Sequence, residues 1–321
     1  MKAAVRSKYG LPGDLTVKEI ATPTPKDDEV LIRVHAVTVN RSDCHVLSGR
    51  PFVMRLFTGL FKPRLSTIGT DFAGQIEAVG SAVQSFKAGE RVMGFGGVFG
   101  FRCHAQYFTM HESRAIKTTV SITDTLAYEQ AAACPEGSFY AASIILQLKP
   151  KAGQRALVYG ATGAIGSAYV QYLKYFGAYV TAVCRGENAE LVKSLGASKV
   201  IDFEKEDFTK DNEQYDFVFD AVGKSSFIKC RPLLKPKGIY TSSGGAENLF
   251  WVLVTPLLGG KKVPFLPPKD ITGSLNFIKT LITSGNFNPV IDRKYPLEKI
   301  AEAFTYVASG QKIGNVIVTM D

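Results

Sequence analysis

The stretch Arg155 to Cys184, RALVYGATGAIGSAYVQYLKYFGAYVTAVC, constrains the fold of this chain more than any other. An apolar run, Ala156-Leu157-Val158-Tyr159, leads into Gly160, Gly163 and Gly166, spaced three apart. A helical pattern follows, and Tyr179-Val180-Thr181-Ala182-Val183 closes the unit as a second strand. Strand, glycine turn, helix and strand make a βαβ unit. Glycine lets a backbone turn tightly and approach a pyrophosphate closely. The helix start then offers free N–H groups and a partial positive charge to phosphate. The spacing is GxxGxxG rather than the commoner GxGxxG, so it is the strand–turn–helix setting that points to a dinucleotide. A tight turn serving only helix–strand packing would use the same glycines.

The rest of the chain reads as two regimes. Up to about residue 122 it is rich in strands and turns. Val30 to Val37 and Phe72 to Val79 read as strands, with turns such as Leu11-Pro12-Gly13-Asp14 and Lys87-Ala88-Gly89-Glu90 between them. This part predicts an irregular β-barrel. From about Thr123, helices and strands alternate: Glu187 to Leu195 helical with Gly196 as its cap, Lys199 to Asp202 and Tyr215 to Asp220 as strands, Ser225 to Leu234 helical, and Gly238 to Ser243 a strand running into Gly244-Gly245. Such alternation predicts a doubly wound parallel sheet. The tail, with helices over Gly273 to Ser284 and Leu297 to Ser309 and a strand over Asn315 to Met320, returns to the barrel. The expected division is 1–122 completed by 269–321, and 123–268.

Composition excludes several classes. At 321 residues there is room for about two domains, and 45% hydrophobic residues suffice for cores. The net charge of +9 raises nucleic acid as a partner, but the cations are scattered and no aromatic RNA-binding pattern occurs. No nucleic-acid partner is expected, and the charge reads as solvated surface with some steering of anionic nucleotides. Five cysteines without a CxxC argue against a disulfide framework and a four-cysteine zinc lobe, so the cytoplasm is the expected compartment. No signal peptide is expected from the opening residues, which read as a first strand. The apolar run Leu249 to Leu258 contains Pro256 and is too short to span a bilayer, so no stable membrane insertion is expected. Peripheral contact through Phe250 to Leu266 stays open.

Several motifs in order carry a resemblance. Lys2-Ala3-Ala4-Val5, Gly69-Thr70-Asp71-Phe72-Ala73-Gly74, Gly89-Glu90-Arg91-Val92-Met93-Gly94, the glycine turn, Ser194-Leu195-Gly196-Ala197, Asp220-Ala221-Val222-Gly223 and Gly314-Asn315 span the chain. Together they resemble the medium-chain dehydrogenase/reductase superfamily, in its zinc-independent, quinone oxidoreductase-like branch. The resemblance implies an α/β fold: a GroES-like β-barrel built from both termini, a doubly wound Rossmann domain, and a cleft between them. It also implies NADPH-dependent reduction of quinones or α,β-unsaturated carbonyls, and a homodimer.

Zinc members of the superfamily hold a catalytic metal with Cys, His and Cys. Here Asn40 stands at the first of those positions, Thr70 at the second, and Glu136 near the third. None keeps the soft sulfur or imidazole chemistry that suits zinc, so no metal site is expected. Cys44 and His45 are neighbours without an evident third ligand. Oxidising an alcohol needs a Lewis acid for the developing alkoxide, whereas a conjugated carbonyl spreads the charge itself.

The candidate catalytic residues are Asn40, for positioning, and Ser42 and His45, whose types and spacing match a proton relay in the zinc branch. Ser42 would equally suit the cap of a helix starting at Asp43, with His45 a surface residue. Tyr107 and Tyr128 are further possible donors. The cofactor residues are Gly160, Gly163, Ala164, Ile165 and Gly166 at the pyrophosphate, with Val222, Ser243, Gly314 and Asn315 elsewhere. Arg185, where an acid would bind a ribose 2′-hydroxyl, offers a fork for a 2′-phosphate and favours NADPH, although Glu187 opposes it and Asn188 and Phe203 replace the family's further contacts. Phe52 to Lys62, apolar with interspersed cations, reads as a lid or pocket wall, or equally as a core helix. Trp251 and Phe250 are candidates for the cleft or a subunit interface. A cofactor-binding member with a structural or membrane-associated role, and an enoyl-thioester reductase, are the competing readings.

Overall fold

The computed structural model describes residues 1–97, 102–244 and 246–320, with residues 246 and 247 described by backbone alone. Gly245, which the sequence places just beyond a strand, lies outside the described residues. The chain forms two compact units: Met1–Phe139 with Asp270–Thr283 and Asn288–Asp321, and Tyr140–Lys269 with Ser284–Phe287.

The first unit is built on a seven-stranded sheet. Its order is Ile291–Pro296, Asn315–Thr319, Glu29–Val39, Asp71–Val79, Arg91–Phe95 and Thr119–Ser121, with Tyr107–His111 also pairing Glu29–Val39. All these pairings are antiparallel except Ile291–Pro296 with Asn315–Thr319. Glu29–Val39 is the centre. It takes three partners, and Val30, Leu31, Ile32, Val34, Val37 and Val39 are all buried. Such near-continuous burial replaces the simple alternation of a half-buried strand, because both faces are covered. Leu47, Phe72, Phe108, Phe304 and Val318 complete this core. The N- and C-terminal parts of the chain thus share one sheet and one hydrophobic core, in the GroES-like arrangement.

The second unit holds five parallel strands in the order Lys199–Asp202, Tyr179–Cys184, Arg155–Tyr159, Tyr215–Asp220 and Leu234–Ser242. The order reverses direction at Arg155–Tyr159, and ligands of doubly wound sheets bind outside the strand ends at such a switch point. The glycine turn follows one of the two strands flanking that point, and the Ala221–Gly223 loop follows the other. Leu157, Val183, Val218 and Tyr240 form the core under the sheet.

Element boundaries follow local chemistry. The helix expected over Ser225 to Leu234 is only Phe227–Cys230, followed by a 3-10 turn at Arg231–Leu233. Pro232 has no N–H to continue an α-helix. Gly196, with φ of 119°, ends the helix Ala189–Leu195 as expected. Phe52 to Lys62 is no core helix. Only Met54–Thr58 is helical, and Phe52, Val53, Leu56, Phe57 and Phe61 are exposed. Tyr9 tethers this segment by donating to the Gly59 carbonyl (2.6 Å), with the Arg55 guanidinium 4.7 Å above its ring.

Candidate active site

In the Rossmann unit the three glycines of the turn serve three different needs. Gly160 has φ of 79°, and a Cβ there would lie 2.1 Å from Val222 Cγ2. Gly166 is buried, and a Cβ on it would meet the Gly160 carbonyl oxygen at 2.1 Å, so it permits close helix–turn packing. Gly163 caps the helix Ala164–Tyr175 in extended conformation, and the nearest atom to a Cβ there is 3.6 Å away. The protein itself therefore does not demand glycine at 163. The freedom lies on a half-exposed surface formed by Thr162, Gly163, Ala164 and Ile165. The first-turn amides of this helix have no intrahelical acceptor. An open glycine beside free amides at a helix start is a fitting cradle for a pyrophosphate.

Asp220 organises the neighbouring loop. It is buried, its Oδ1 accepts from the amides of Val222 (3.1 Å) and Gly223 (2.7 Å), and its Oδ2 accepts from that of Ser225 (2.8 Å). Val222 is held against the glycine turn with its side chain 42% exposed. Ser243 is exposed and donates its amide to the Asp220 carbonyl at 2.9 Å. The motif Asp220-Ala221-Val222-Gly223 does not by itself reveal this task. An acid at the end of a parallel strand, followed by a glycine turn, was the available signal.

Arg185 begins the 3-10 turn after Tyr179–Cys184. Its guanidinium pairs with Glu204 at 3.2 Å and approaches Glu187 at 4.0 Å. Two carboxylates thus compete with any anion for it, one of them absent from the sequence reading. Phe203 packs edge-on to Tyr159, with ring centroids 6.4 Å apart. Gly314 and Asn315 belong to the GroES-like unit. Gly314 has φ of 61° and abuts Val290, whose carbonyl accepts from the Asn315 side-chain amide at 3.0 Å.

The GroES-like unit contains a buried polar cluster. Strands Glu29–Val39 and Asp71–Val79 run antiparallel with Ala36 opposite Ala73, so their ends carry Thr38 beside Asp71. Thr38 donates its amide (3.0 Å) and hydroxyl (2.5 Å) to the Asp71 carboxylate. Asn40 caps the helix Arg41–Ser48, and its amide donates to Asp43 Oδ2 at 2.8 Å. Asn40, rather than Ser42, is therefore the cap, because Asn and an Asp three residues later complete the local hydrogen bonding at that end.

That leaves the Ser42 hydroxyl free to bond elsewhere, and it donates to Glu136 Oε1. Asn40 Nδ2 donates to Glu136 Oε2 at 2.8 Å, and the Thr70 hydroxyl donates to the same oxygen. The positions that carry ligands in the zinc branch thus meet in space, joined by direct hydrogen bonds. Thr38, Asn40, Asp43, Thr70, Asp71 and Glu136 are all buried, whereas Ser42 is half-exposed. His45 is exposed on the same helix, and no hydrogen bond among the described residues joins its ring to Ser42 or Glu136. Tyr128 has a packing role, stacked on His35 at 4.1 Å with the Arg91 guanidinium 4.3 Å over its ring.

Burial sets the electrostatics of this cluster. It pushes the Glu136 carboxyl up to about 7, helped by the Asp71 charge and opposed by the Ser42 and Thr70 hydrogen bonds. Burial raises Asp71 to about 6, restrained by donors from Thr38 and Asn40. Asp43 is also raised, by burial and by Glu136 and Asp71. Burial lowers His104 to about 4, where its ring lies 3.1 Å from the Thr38 carbonyl. A carboxyl titrating near neutrality in a buried site is suited to exchanging protons.

Comparisons with known proteins agree with this anatomy. Residues 26–141 match the alcohol dehydrogenase GroES-like domain, and residues 195–318 match the zinc-binding dehydrogenase family. The chain is 30% identical over 316 residues to the chloroplast envelope quinone oxidoreductase homolog of Arabidopsis thaliana, covering 94% of this chain and 92% of that one. It is 31% identical over 325 residues to the chloroplastic NADPH-dependent alkenal/one oxidoreductase of the same plant, covering 99% and 79%. The quinone oxidoreductase structure from Coxiella burnetii superposes with a TM-score of 0.89 at 25% identity, covering 100% of this chain and 99% of that one. The Escherichia coli quinone oxidoreductase complexed with NADPH shares the fold, with a TM-score of 0.81 at 22% identity and full coverage of both chains. Identity of this extent over nearly the whole length shows that the chain belongs to the oxidoreductases of the medium-chain dehydrogenase/reductase superfamily, in their quinone oxidoreductase-like branch.

Proposed function

We propose that this protein reduces quinones or α,β-unsaturated carbonyls with NADPH and without a catalytic zinc. The observation that carries this reading is the Asn40–Thr70–Glu136–Ser42 cluster. Where zinc relatives place soft ligands, these residues hydrogen-bond to one another, and Asn40 Nδ2 also to Thr38 and Asp71. An amide, a hydroxyl and a carboxyl bonded in this way suit proton handling better than soft-metal coordination. The names of the two Arabidopsis relatives, a quinone oxidoreductase homolog and an alkenal/one oxidoreductase, support the substrate class.

The pyrophosphate would rest on Gly160, Gly163, Ala164, Ile165 and Gly166, with Val222 and Ser243 beside it and Arg185 toward the 2′-phosphate. Bound there, NADPH supplies the hydride. The chain's own part is to orient the acceptor with Asn40 and to provide the proton that completes the reduction, from Ser42. A conjugated acceptor delocalises its own negative charge and so dispenses with a Lewis acid. A cytosolic setting is part of the proposal, supported by five free cysteines. So is a homodimer, supported by the exposed apolar side chains Leu249, Phe250, Leu253 and Leu257 along the helix Ala246–Leu258.

The test is titration with NADPH and NADH by fluorescence quenching, followed by a panel of quinones and enones. Tight NADPH binding with turnover of at least one acceptor is the expected result. NADH preference would remove Arg185 from the argument, and binding without turnover of any acceptor would overturn the reductase. Arg185→Asp should raise the KM for NADPH far more than it lowers kcat. An unchanged KM would sink the assignment of Arg185.

A further inference from the structure

The polar cluster holds more than a proton donor needs, and the surplus is ordered. Both lone-pair directions of Glu136 Oε2 are used, by Asn40 Nδ2 and the Thr70 hydroxyl. Oε1 faces only Ser42 among the described hydrogen bonds. A carboxylic acid at this site therefore carries its proton on Oε1, directed at Ser42 Oγ. Ser42 then turns its own hydroxyl hydrogen outward, and it is the half-exposed hydroxyl of an otherwise buried group. The arrangement is a buried acid behind a single accessible hydroxyl.

We propose that Glu136 is the proton store of this reaction and acts through Ser42, which passes the proton to the reduced acceptor. The inference rests on the reductase reading. Hydride addition to the β-carbon forms a C–H bond, and the π electrons move to the carbonyl oxygen as an enolate. The enolate takes the Ser42 proton as the Ser42 O–H bond breaks. Ser42 takes the Oε1 proton of Glu136, which is left as carboxylate and is reprotonated by water before the next turnover. Glu136 does not touch the acceptor. Its role is to keep Ser42 supplied and aligned.

The titratable groups facing Glu136 are Asp43 from the helix Arg41–Ser48, Asp71 from the strand Asp71–Val79, and Lys312 from the turn before the last strand. Burial holds Cys44 and Cys103 above their ordinary values, so they stay neutral across the range in which Glu136 titrates. The Asp71 charge opposes ionisation of Glu136 and Lys312 favours it, while Asp43 is itself held protonated by burial and by the Glu136 charge.

The test combines a spectroscopic and a kinetic readout. In the cofactor-free protein, the infrared difference between wild type and E136Q should contain a protonated-carboxyl band that disappears as pH rises through about 7. A Glu136 that is ionised down to ~pH 5 would overturn the store. With an enone that the wild type reduces, kcat should fall above about pH 7. E136Q, which keeps the shape and hydrogen bonds but has no proton to give, should lower kcat by roughly 10²-fold with little change in KM and a flat pH profile. S42A should do the same while retaining the infrared band. If E136Q does not fold, S42A decides the kinetic question, and wild-type rate and pH profile in S42A would overturn the relay. Failure of the wild type to reduce any quinone or enone defeats the reductase reading and the relay with it. The infrared band still reports separately whether Glu136 stores a proton.

Discussion

At the scale of single residues, a motif and a reason for it are different things. The sequence placed three glycines in the turn, and all three would be assigned to a phosphate on pattern alone. The structure separates them. Gly166 answers to the Gly160 carbonyl and Gly160 to its own φ and to Val222, so both are needed by the protein itself. Only Gly163 is open, which makes it the informative one. Gly166→Ala should destabilise the fold by about 1–3 kcal/mol, because its methyl overpacks against backbone. Gly163→Ala should melt like wild type yet weaken NADPH binding by roughly tenfold, or ~1.4 kcal/mol. Thermal melts beside fluorescence titrations check both, and an unaffected Kd in Gly163→Ala would remove that residue from the cradle. Arg185 was legible in sequence, but its Glu204 partner was not, since only the adjacent strand of the sheet brings the two together. Glu204→Gln should therefore tighten NADPH binding a few-fold, about 0.5–1 kcal/mol, by releasing the guanidinium. A weaker Kd in that variant would show that Glu204 orients Arg185 instead of competing for it.

Elements decide which side chains can meet. The sequence left open a helix that starts at Asp43 with Ser42 as its cap. It starts at Arg41, and moving the cap to Asn40 frees Ser42 for Glu136. Glu136 was read only as a poor zinc ligand, because its partners lie 66 to 96 residues away in sequence and no local pattern joins them. Its burial has a consequence for stability. A carboxyl raised from 4.5 to about 7 binds its proton more tightly in the folded state. Its contribution is fully present below about 4.5 and is lost as pH rises through about 7. His104 works in the opposite sense, since a histidine lowered from 6.5 to about 4 makes the fold less stable as pH falls through that interval. Above about 6.5 His104 is neutral in both states, so Glu136 acts there without that opposing contribution. Wild-type melting temperature should therefore fall between ~pH 6.5 and ~pH 8, and E136Q should fall less. Parallel melting curves for the two proteins across that interval would contradict the raised Glu136.

At the scale of the whole molecule, the described residues include one core around Phe72, Phe304 and Val318 and another around Leu157, Val218 and Tyr240. Among the described residues no helix is long and apolar enough to cross a membrane. The helix Ala246–Leu258 instead exposes Leu249, Phe250, Leu253, Leu257 and Leu258, while Trp251 packs inward on Phe227 at 5.4 Å. A contiguous exposed apolar face of this kind favours association. Wild type should sediment as a dimer and Leu253→Glu as a monomer. A monomeric wild type, or a variant that still dimerises, would remove this face from the interface. Much of the architecture was written in the chain itself. The βαβ pattern and the parallel alternation after it depend on hydrophobic periodicity and glycine chemistry, which are local and survive in one dimension, whereas a barrel completed by the tail was implied by the family resemblance. The helix expected over Ser225 to Leu234 ran through Pro232, whose missing N–H ends it at Cys230 instead. Tertiary structure alone decided that Asn40, Ser42, Thr70 and Glu136 form one hydrogen-bonded group, and that Glu204 occupies Arg185. Hydrogen bonds and buried charges act over a few ångströms, whatever their separation along the chain, so the proton chemistry of this site exists only once the barrel has closed around it.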